Sequence, residues 1–246
     1  KTRFEEYFAV FPWENLPKNA EGFDMGCGTG RWARWVAPKV HKLHCVDPSD
    51  AIAVAKINLS DHKNVIFHKA SLDSGCLQSN SQDFGYSLGV LHHVPDTEAA
   101  IQSCVDLLKP GAPLLLYLYY SFDNRPWWFR IIWRISDIGR QMIYRLPSRL
   151  KHVITDAIAL LIYIPLTTLS RLIERMGFDV SSIPLSYYRK YSFYSMRTDA
   201  RDRFGTPLER RFSRKKITEM MESAGLVGVR FSESVPHWCV VGVKRK

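Results

Sequence analysis

The chain has 246 residues, 46% of them hydrophobic and 24% charged, which is room for one α/β domain with an insertion, or for two small domains, around a sizeable core. A formal net charge of +10 and a pI of about 9.4 admit nucleic acid, an anionic membrane surface or an acidic substrate as partner, or simply a solvated basic surface. The five cysteines, Cys27, Cys45, Cys76, Cys104 and Cys239, include no C-x-x-C pair, and no His stands at zinc-ligand spacing; this excludes a zinc-ribbon type and points to buried free thiols in a reducing compartment.

The first predicted element is a strand over residues 22–25. It runs into Asp24-Met25-Gly26-Cys27-Gly28-Thr29-Gly30 and then a helix over 31–37. Glycines at alternate positions let a backbone turn tightly from strand to helix and lie close against a ligand. A second strand, 42–46, ends at Asp47, where a carboxylate can accept both hydroxyls of a ribose. The pair reads as a nucleoside-binding βαβ unit. Its pattern is D-x-G-x-G-x-G, not the G-x-G-x-x-G of a dinucleotide site, and Asp24 would repel a pyrophosphate. A carboxylate there suits a cation or an ammonium group. S-adenosylmethionine offers both a sulfonium and an amino group. Beyond this unit, a helix over 50–59, strands over 65–69 and 84–88, a helix over 98–108 and a strand over 113–119 alternate. That order implies a parallel sheet with right-handed crossovers. Lys109-Pro110-Gly111 separates the last helix from its strand.

Residues 121–212 interrupt this alternation with a basic, aromatic and mostly helical insertion. Trp127, Trp128, Phe129, Ile131, Ile132 and Trp133, interleaved with Arg130 and Arg134, predict an amphipathic helix. Its apolar face either packs on the rest of the insertion or makes a transient contact with an anionic membrane surface. Arg125, Arg130, Arg134 and Arg189 would suit an anionic or lipid-linked substrate. A further helix runs over 153–161 and on past Pro165 towards 176. Its apolar run, 157–166, is too short to span a bilayer and is bounded by Asp156 and Pro165. The first residues do not read as a signal peptide, so a cytoplasmic setting is expected, at most peripheral at a membrane. After the insertion, Ser213 is placed to cap a helix carrying Ile217, Met220, Met221 and Ala224, which Gly225 stops. Strands over 227–233 and 237–243 should form a hairpin, one of them antiparallel to the rest of the sheet.

The glycine run resembles motif I of the class I S-adenosylmethionine-dependent methyltransferases. The run Asp83-Phe84-Gly85-Tyr86-Ser87-Leu88-Gly89-Val90-Leu91-His92-His93-Val94-Pro95-Asp96 resembles motif IV of the small-molecule methyltransferases of the ubiquinone/menaquinone-biosynthesis type, and Lys109-Pro110-Gly111-Ala112 resembles their turn before the fifth strand. The resemblance covers about residues 20–120 and, more weakly, 213–243. It implies an α/β fold: a Rossmann-like, seven-stranded sheet closed by a C-terminal antiparallel hairpin. Residues 1–120 and 213–246 would form the cofactor-binding core, with 121–212 a helical lid over the carboxyl edge of the sheet.

By position, the resemblance implies that Asp24, Gly26, Cys27, Gly28 and Gly30 shape the pocket for the methionine part of S-adenosylmethionine. Asp47 would hold the ribose, with Pro48 and Ser49 beside the adenine. Ala70, Ser71 and Leu72 would meet the adenine, although many relatives carry Asp where Ser71 stands. Leu88 and Gly89 would line the cofactor near its reactive methyl. Methyl transfer from a sulfonium is an in-line displacement that needs no metal, and needs a general base only for a protonated, weakly acidic acceptor. His92 or His93 is the candidate base, or else His92 packs under the helix that follows. Tyr119, Tyr120, Tyr187, Tyr188 and Tyr194 either wall the acceptor pocket or form cores of their own. The expected function is methylation of a small-molecule acceptor, with no stable nucleic-acid partner. The rival readings are a nucleic-acid methyltransferase, against which the absence of an Asn/Asp-Pro-Pro-aromatic motif after the fourth strand counts, and a cofactor-binding subunit without catalysis.

Overall fold

A computed structural model describes residues 2–122, 126–233 and 238–246. His237, expected to open the last strand, and Arg125 lie outside the described residues. The chain divides into two compact units, one made of Lys1–Tyr120 with Arg210–Lys246, the other of Ser121–Glu209.

The first unit is built on strands β1 (Glu21–Met25), β2 (Lys42–Val46), β3 (Val65–His68), β4 (Phe84–Leu88), β5 (Pro113–Leu118), β6 (Leu226–Phe231) and β7 (Trp238–Lys244). Their order across the sheet is β3-β2-β1-β4-β5-β7-β6. β1 to β5 run parallel, and β7 pairs antiparallel with both β5 and β6. The reversal follows from the short connection between β6 and β7, since a hairpin can join only antiparallel neighbours. The chain order reverses between β1 and β4, so the carboxyl ends of these two strands diverge into loops at a topological switch point.

Helices α1 (Thr2–Tyr7), α2 (Ala33–Val36), α3 (Ala51–Asn58), α4 (Thr97–Leu107) and α9 (Arg214–Ser223) belong to this unit. Two helix starts are fixed by side-chain caps. Asp96 accepts from the Ala99 N–H at 3.0 Å, and Ser213 from the Lys216 N–H at 3.1 Å. Buried strand residues alternate between two cores, as the two-residue period of a strand requires. Phe23, Met25, Leu114, Leu116 and Leu118 meet Ile101, Val105, Ile217 and Met221 on one side. Leu43, Cys45, Tyr86, Leu115 and Val241 meet Val36, Ile52 and Leu59 on the other. The second core is completed by the N-terminal segment, where Phe4, Phe8 and Phe11 are buried and Phe8 packs edge-on to Tyr86 at 5.3 Å between ring centroids. The chain rejoins this unit through Phe212, whose N–H donates to the Tyr119 carbonyl at 2.8 Å.

The second unit holds α5 (Trp127–Ile143), α6 (Ser148–Ile158), a π-helical turn (Ala159–Tyr163), α7 (Ile164–Arg175) and α8 (Phe193–Gly205). The run from Ser148 to Arg175 is one unbroken helix of 28 residues, long and apolar enough by length and composition to cross a membrane. This corrects the expectation that Pro165 limits the apolar stretch. A proline ring clashes with the carbonyl four residues back, here Leu161, and the π turn widens the helix at that carbonyl. Ala159, Tyr163, Met196 and Ala200 are the buried apolar residues at the unit's centre.

Phe8→Ala should cost about 3–5 kcal/mol, the usual price of deleting a buried aromatic ring. Guanidinium unfolding followed by tryptophan fluorescence would measure it; a loss under about 1 kcal/mol would mean that the N-terminal segment is peripheral to the core.

Candidate active site

The glycine loop leaves β1 and is pinned to the neighbouring strand end. The N–H groups of Gly26 and Cys27 donate to the Val46 carbonyl at 2.8 and 3.1 Å. Gly26 has φ +81°, and a Cβ there would come within 2.5 Å of the Val90 side chain, so the loop after β4 lies directly on the glycine. Gly28 donates its N–H to Asp47 Oδ2 at 2.8 Å, while Asp47 Oδ1 accepts from the Ser49 N–H at 2.9 Å and from the Ser49 hydroxyl. The carboxylate thus fastens the glycine loop to the segment after β2, and three of its roughly four acceptor positions are filled. Sequence reasoning placed Ser49 beside the adenine but did not anticipate its hydrogen bonds to Asp47.

Asp24 is 1% exposed, and neither of its carboxylate oxygens has a hydrogen-bond partner. Burial pushes its carboxyl up to about 8; the neighbouring Tyr86 hydroxyl opposes the shift and the charge of Asp47 adds to it. Tyr86 on β4 is also fully buried, its hydroxyl unpartnered and its phenol raised by burial and by Asp24. Two neighbouring carboxylates, one unpaired, form a site that lacks positive charge. The chemistry of this donor set fits S-adenosylmethionine: Asp24 matches an ammonium and the remaining acceptor position of Asp47 matches a ribose hydroxyl. Among the described residues, no group of three or more His, Cys, Asp or Glu stands where it could hold a metal ion.

The other expected cofactor residues surround the same strand ends. Pro48 and Ser71 are exposed, and Leu72 is half-buried. The Ala70 N–H donates to the Asp47 carbonyl at 3.2 Å, which ties the loop after β3 to the end of β2. Leu88 is buried at the end of β4, and Gly89 donates its N–H to the Tyr117 carbonyl at 3.1 Å.

The two histidines differ. His92 is wholly buried, has no hydrogen bond at either ring nitrogen, and stacks on Tyr119 with 3.8 Å between centroids. Burial holds its pKa well below the ordinary range, with the charges of His93 and Arg211 acting in the same direction. Its imidazole is therefore neutral at pH 7. His93 is half-buried and meets Tyr119 edge-on at 5.7 Å. The Arg211 guanidinium lies over the other part of the stack, 5.1 Å from the Tyr119 centroid, and Arg211 donates to the Tyr120 carbonyl at 3.3 Å. Arg211 was not anticipated; it lies ninety-odd residues from Tyr119, and only the return of the chain beside β5 brings them together.

Of the tyrosines expected to wall an acceptor pocket, Tyr119 and Tyr120 belong to the first unit. Tyr187, Tyr188 and Tyr194 belong to the second. The Tyr188 hydroxyl donates to Asp199, which also accepts from Tyr163, so Tyr188 is part of the second unit's own interior. Tyr187 accepts a hydrogen bond from the Tyr191 hydroxyl at 2.9 Å, and Tyr194 is exposed under Arg197.

Residues 23–116 match the family model of a methyltransferase domain. With the reversed β7, this decides the core's nature. Residues 23–116 are a methyltransferase domain. The chain is 27% identical over 180 residues to the ubiquinone biosynthesis O-methyltransferase of Nitrosospira multiformis, covering 72% of this chain and 70% of that protein. It is 30% identical over 132 residues to the enzyme of the same name from Nitrosomonas europaea, covering 52% of this chain and 53% of that one. The human N-acetylserotonin methyltransferase, solved with S-adenosylmethionine, superposes with a TM-score of 0.57 at 15% identity, over 99% of this chain and 52% of its own; that likeness is one of fold.

The buried acid of the methyltransferase domain sets a pH dependence. The Asp24 carboxyl titrates near 8 in the folded protein, against about 4 in an unfolded chain. A raised acid pKa favours the folded state at low pH, so this contribution is complete below about 4 and is lost as the pH rises through about 8. Asp24→Asn should therefore gain melting temperature relative to wild type between pH 5 and pH 9 in the absence of ligand. Parallel Tm–pH curves for the two proteins would contradict it.

Proposed function

We propose that the protein transfers a methyl group from S-adenosylmethionine to an oxygen of a small-molecule acceptor that is anionic, lipid-linked or sugar-linked. The observation that carries the reading is the unpaired, buried carboxylate of Asp24 beside Asp47. Bound there, S-adenosylmethionine supplies a methyl already activated on a sulfonium. The protein's part is to bind, orient and exclude water.

In this reading Asp24 receives the cofactor's ammonium and gives up its proton in doing so. Asp47, already fixed by Gly28 and Ser49, presents its free acceptor position to the ribose. Ser71 and Leu72 border the adenine, and Leu88 and Gly89 border the reacting methyl. His93, the more accessible of the pair, takes the proton from the acceptor hydroxyl. His92 acts through Tyr119: its stack holds the tyrosine and the loop in place. The names of the O-methyltransferase relatives support oxygen as the acceptor atom.

Acceptor selection we assign to residues 121–209. The support is connectivity, because the chain departs directly after Tyr120 and returns beside Tyr119 through Phe212. A net positive charge in that segment favours an anionic acceptor, and a brief contact with an anionic membrane surface would suit one that is lipid-linked.

Calorimetry should show S-adenosylmethionine binding that Asp47→Ala weakens about tenfold to a hundredfold, the worth of a hydrogen bond to a charged group. Unchanged affinity would remove Asp47 from the site. With methyl-labelled cofactor and cell extract, label is expected in a low-mass, hydroxyl-bearing product. Label confined to nucleic acid would favour the nucleic-acid reading, and tight cofactor binding with no label in any fraction would favour a subunit without catalysis. His93→Ala should lower kcat about a hundredfold or more, the usual contribution of a general base, and leave cofactor affinity unchanged.

A further inference from the structure

The second unit is built with its polarity reversed. In α5 the buried residue is a charged one. Arg140 is buried and donates to Asp137 at 2.7 Å and to the carbonyls of Thr206 and Pro207 at 3.1 and 2.8 Å, and Trp133 donates to Glu209 at 3.3 Å. On the opposite side, Trp127, Ile131, Ile135, Ile138 and Met142 recur at three- and four-residue steps and are exposed, Ile135 by 65%. The long helix repeats the arrangement. Its buried positions include Thr155, Ala159, Thr167 and Ser170, all small or hydroxylic, while Val153, Leu161, Leu169, Leu172 and Met176 are exposed. Small and hydroxylic residues between helices, with aliphatic residues outside, is how helices pack in lipid. Of the 21 large apolar side chains exposed among the described residues, 17 lie in this unit, whereas its central cluster holds four buried apolar residues. A unit stabilised only by water-excluding burial would show the opposite balance.

We propose that the apolar stripes of α5 and of the Ser148–Arg175 helix form a face that lies in the plane of an anionic lipid bilayer. Charge supports this occupant. Residues 121–209 contain 14 Lys and Arg against 8 Asp and Glu, a net +6 of the chain's +10. Exposed Arg130 and Arg134 each precede a stripe residue by one position, which sets them along one flank of the stripe where a guanidinium reaches headgroup phosphate. Trp127 stands at the end of the stripe, the place of an interfacial anchor. The face lies on the membrane and does not cross it. α8, which packs against both α5 and α6, carries Arg197, Asp199, Arg201, Asp202 and Arg203, and a crossing would draw these to hydrocarbon depth.

This inference is independent of the methyl-transfer reading, and flotation with vesicles tests it on the full chain. The protein should float with phosphatidylcholine–phosphatidylglycerol vesicles, at least about tenfold more weakly with phosphatidylcholine alone, and less as salt is raised. Ile135→Glu combined with Ile138→Glu should abolish flotation, Arg134→Glu should weaken it, and Ile57→Glu, an exposed position in the first unit, should leave it unchanged. Calorimetry with S-adenosylmethionine on each variant checks that the first unit is folded, and circular dichroism checks the helices of the second. Failure to float with either vesicle overturns the proposal. So does a dimer in sedimentation velocity that the Ile135/Ile138 substitutions dissolve, and retention in the membrane pellet at carbonate pH would replace an in-plane face by a spanning helix.

Discussion

Two carboxylates buried side by side cannot both carry charge unless a cation joins them. Asp24 and Asp47 are brought together by the pairing of β1 with β2, which sets Met25 beside Val46 and so aligns the two strand ends. Asp47 is tolerable because a backbone N–H and the Ser49 groups surround it. Asp24 has no such support, and it stays protonated near neutrality until a ligand supplies positive charge. Asp24 itself is 1% exposed, so that uncompensated acid is kept from water. If Asp24 receives the cofactor's ammonium as proposed, binding and proton release are one event in this site.

The strands of the first unit were legible because each is a short apolar run closed by a breaker. β2, β4 and the start of β5 fall where the residue pattern put them, and Ser213 and Gly225 bound α9 as their chemistry requires. The N-terminal segment was not legible. Phe4, Phe8, Phe11 and Trp13 fill one side of the core, but a six-residue helix and a loop carry too few turns for any period to show. The orientation of side chains at the site was also beyond the sequence. Two adjacent histidines look alike in a string of letters, yet a turn of 3-10 helix buries one and leaves the other half-open.

The second unit shows where pattern reasoning runs out. An amphipathic run announces that one face differs from the other, but not which of them points inward. The usual assumption is that apolar residues face the interior, and in α5 the buried Arg140 shows the reverse. Hydrogen bonds to the carbonyls of Thr206 and Pro207 make that burial affordable, and they depend on a chain return more than sixty residues away. Likewise Pro165 reads as a break, and only the neighbouring backbone reveals how the helix passes it.

The π turn has a geometric effect beyond admitting proline. Thr155, Ala159, Tyr163 and Thr167 follow one another by fours, and in an ideal α-helix each such step overshoots a full turn by about 40°. Over three steps the inward row would wind about a third of the way round the axis. A turn with more residues per revolution takes back most of that drift, so Thr167 and Ser170 return to the side that Thr155 began. The widened turn thus acts as a phase corrector along the helix. The same residues wound as a regular α-helix throughout would have nearly the same length, but with everything after the turn rotated by about 100°. The inner and outer surfaces of its second half would then no longer continue those of its first.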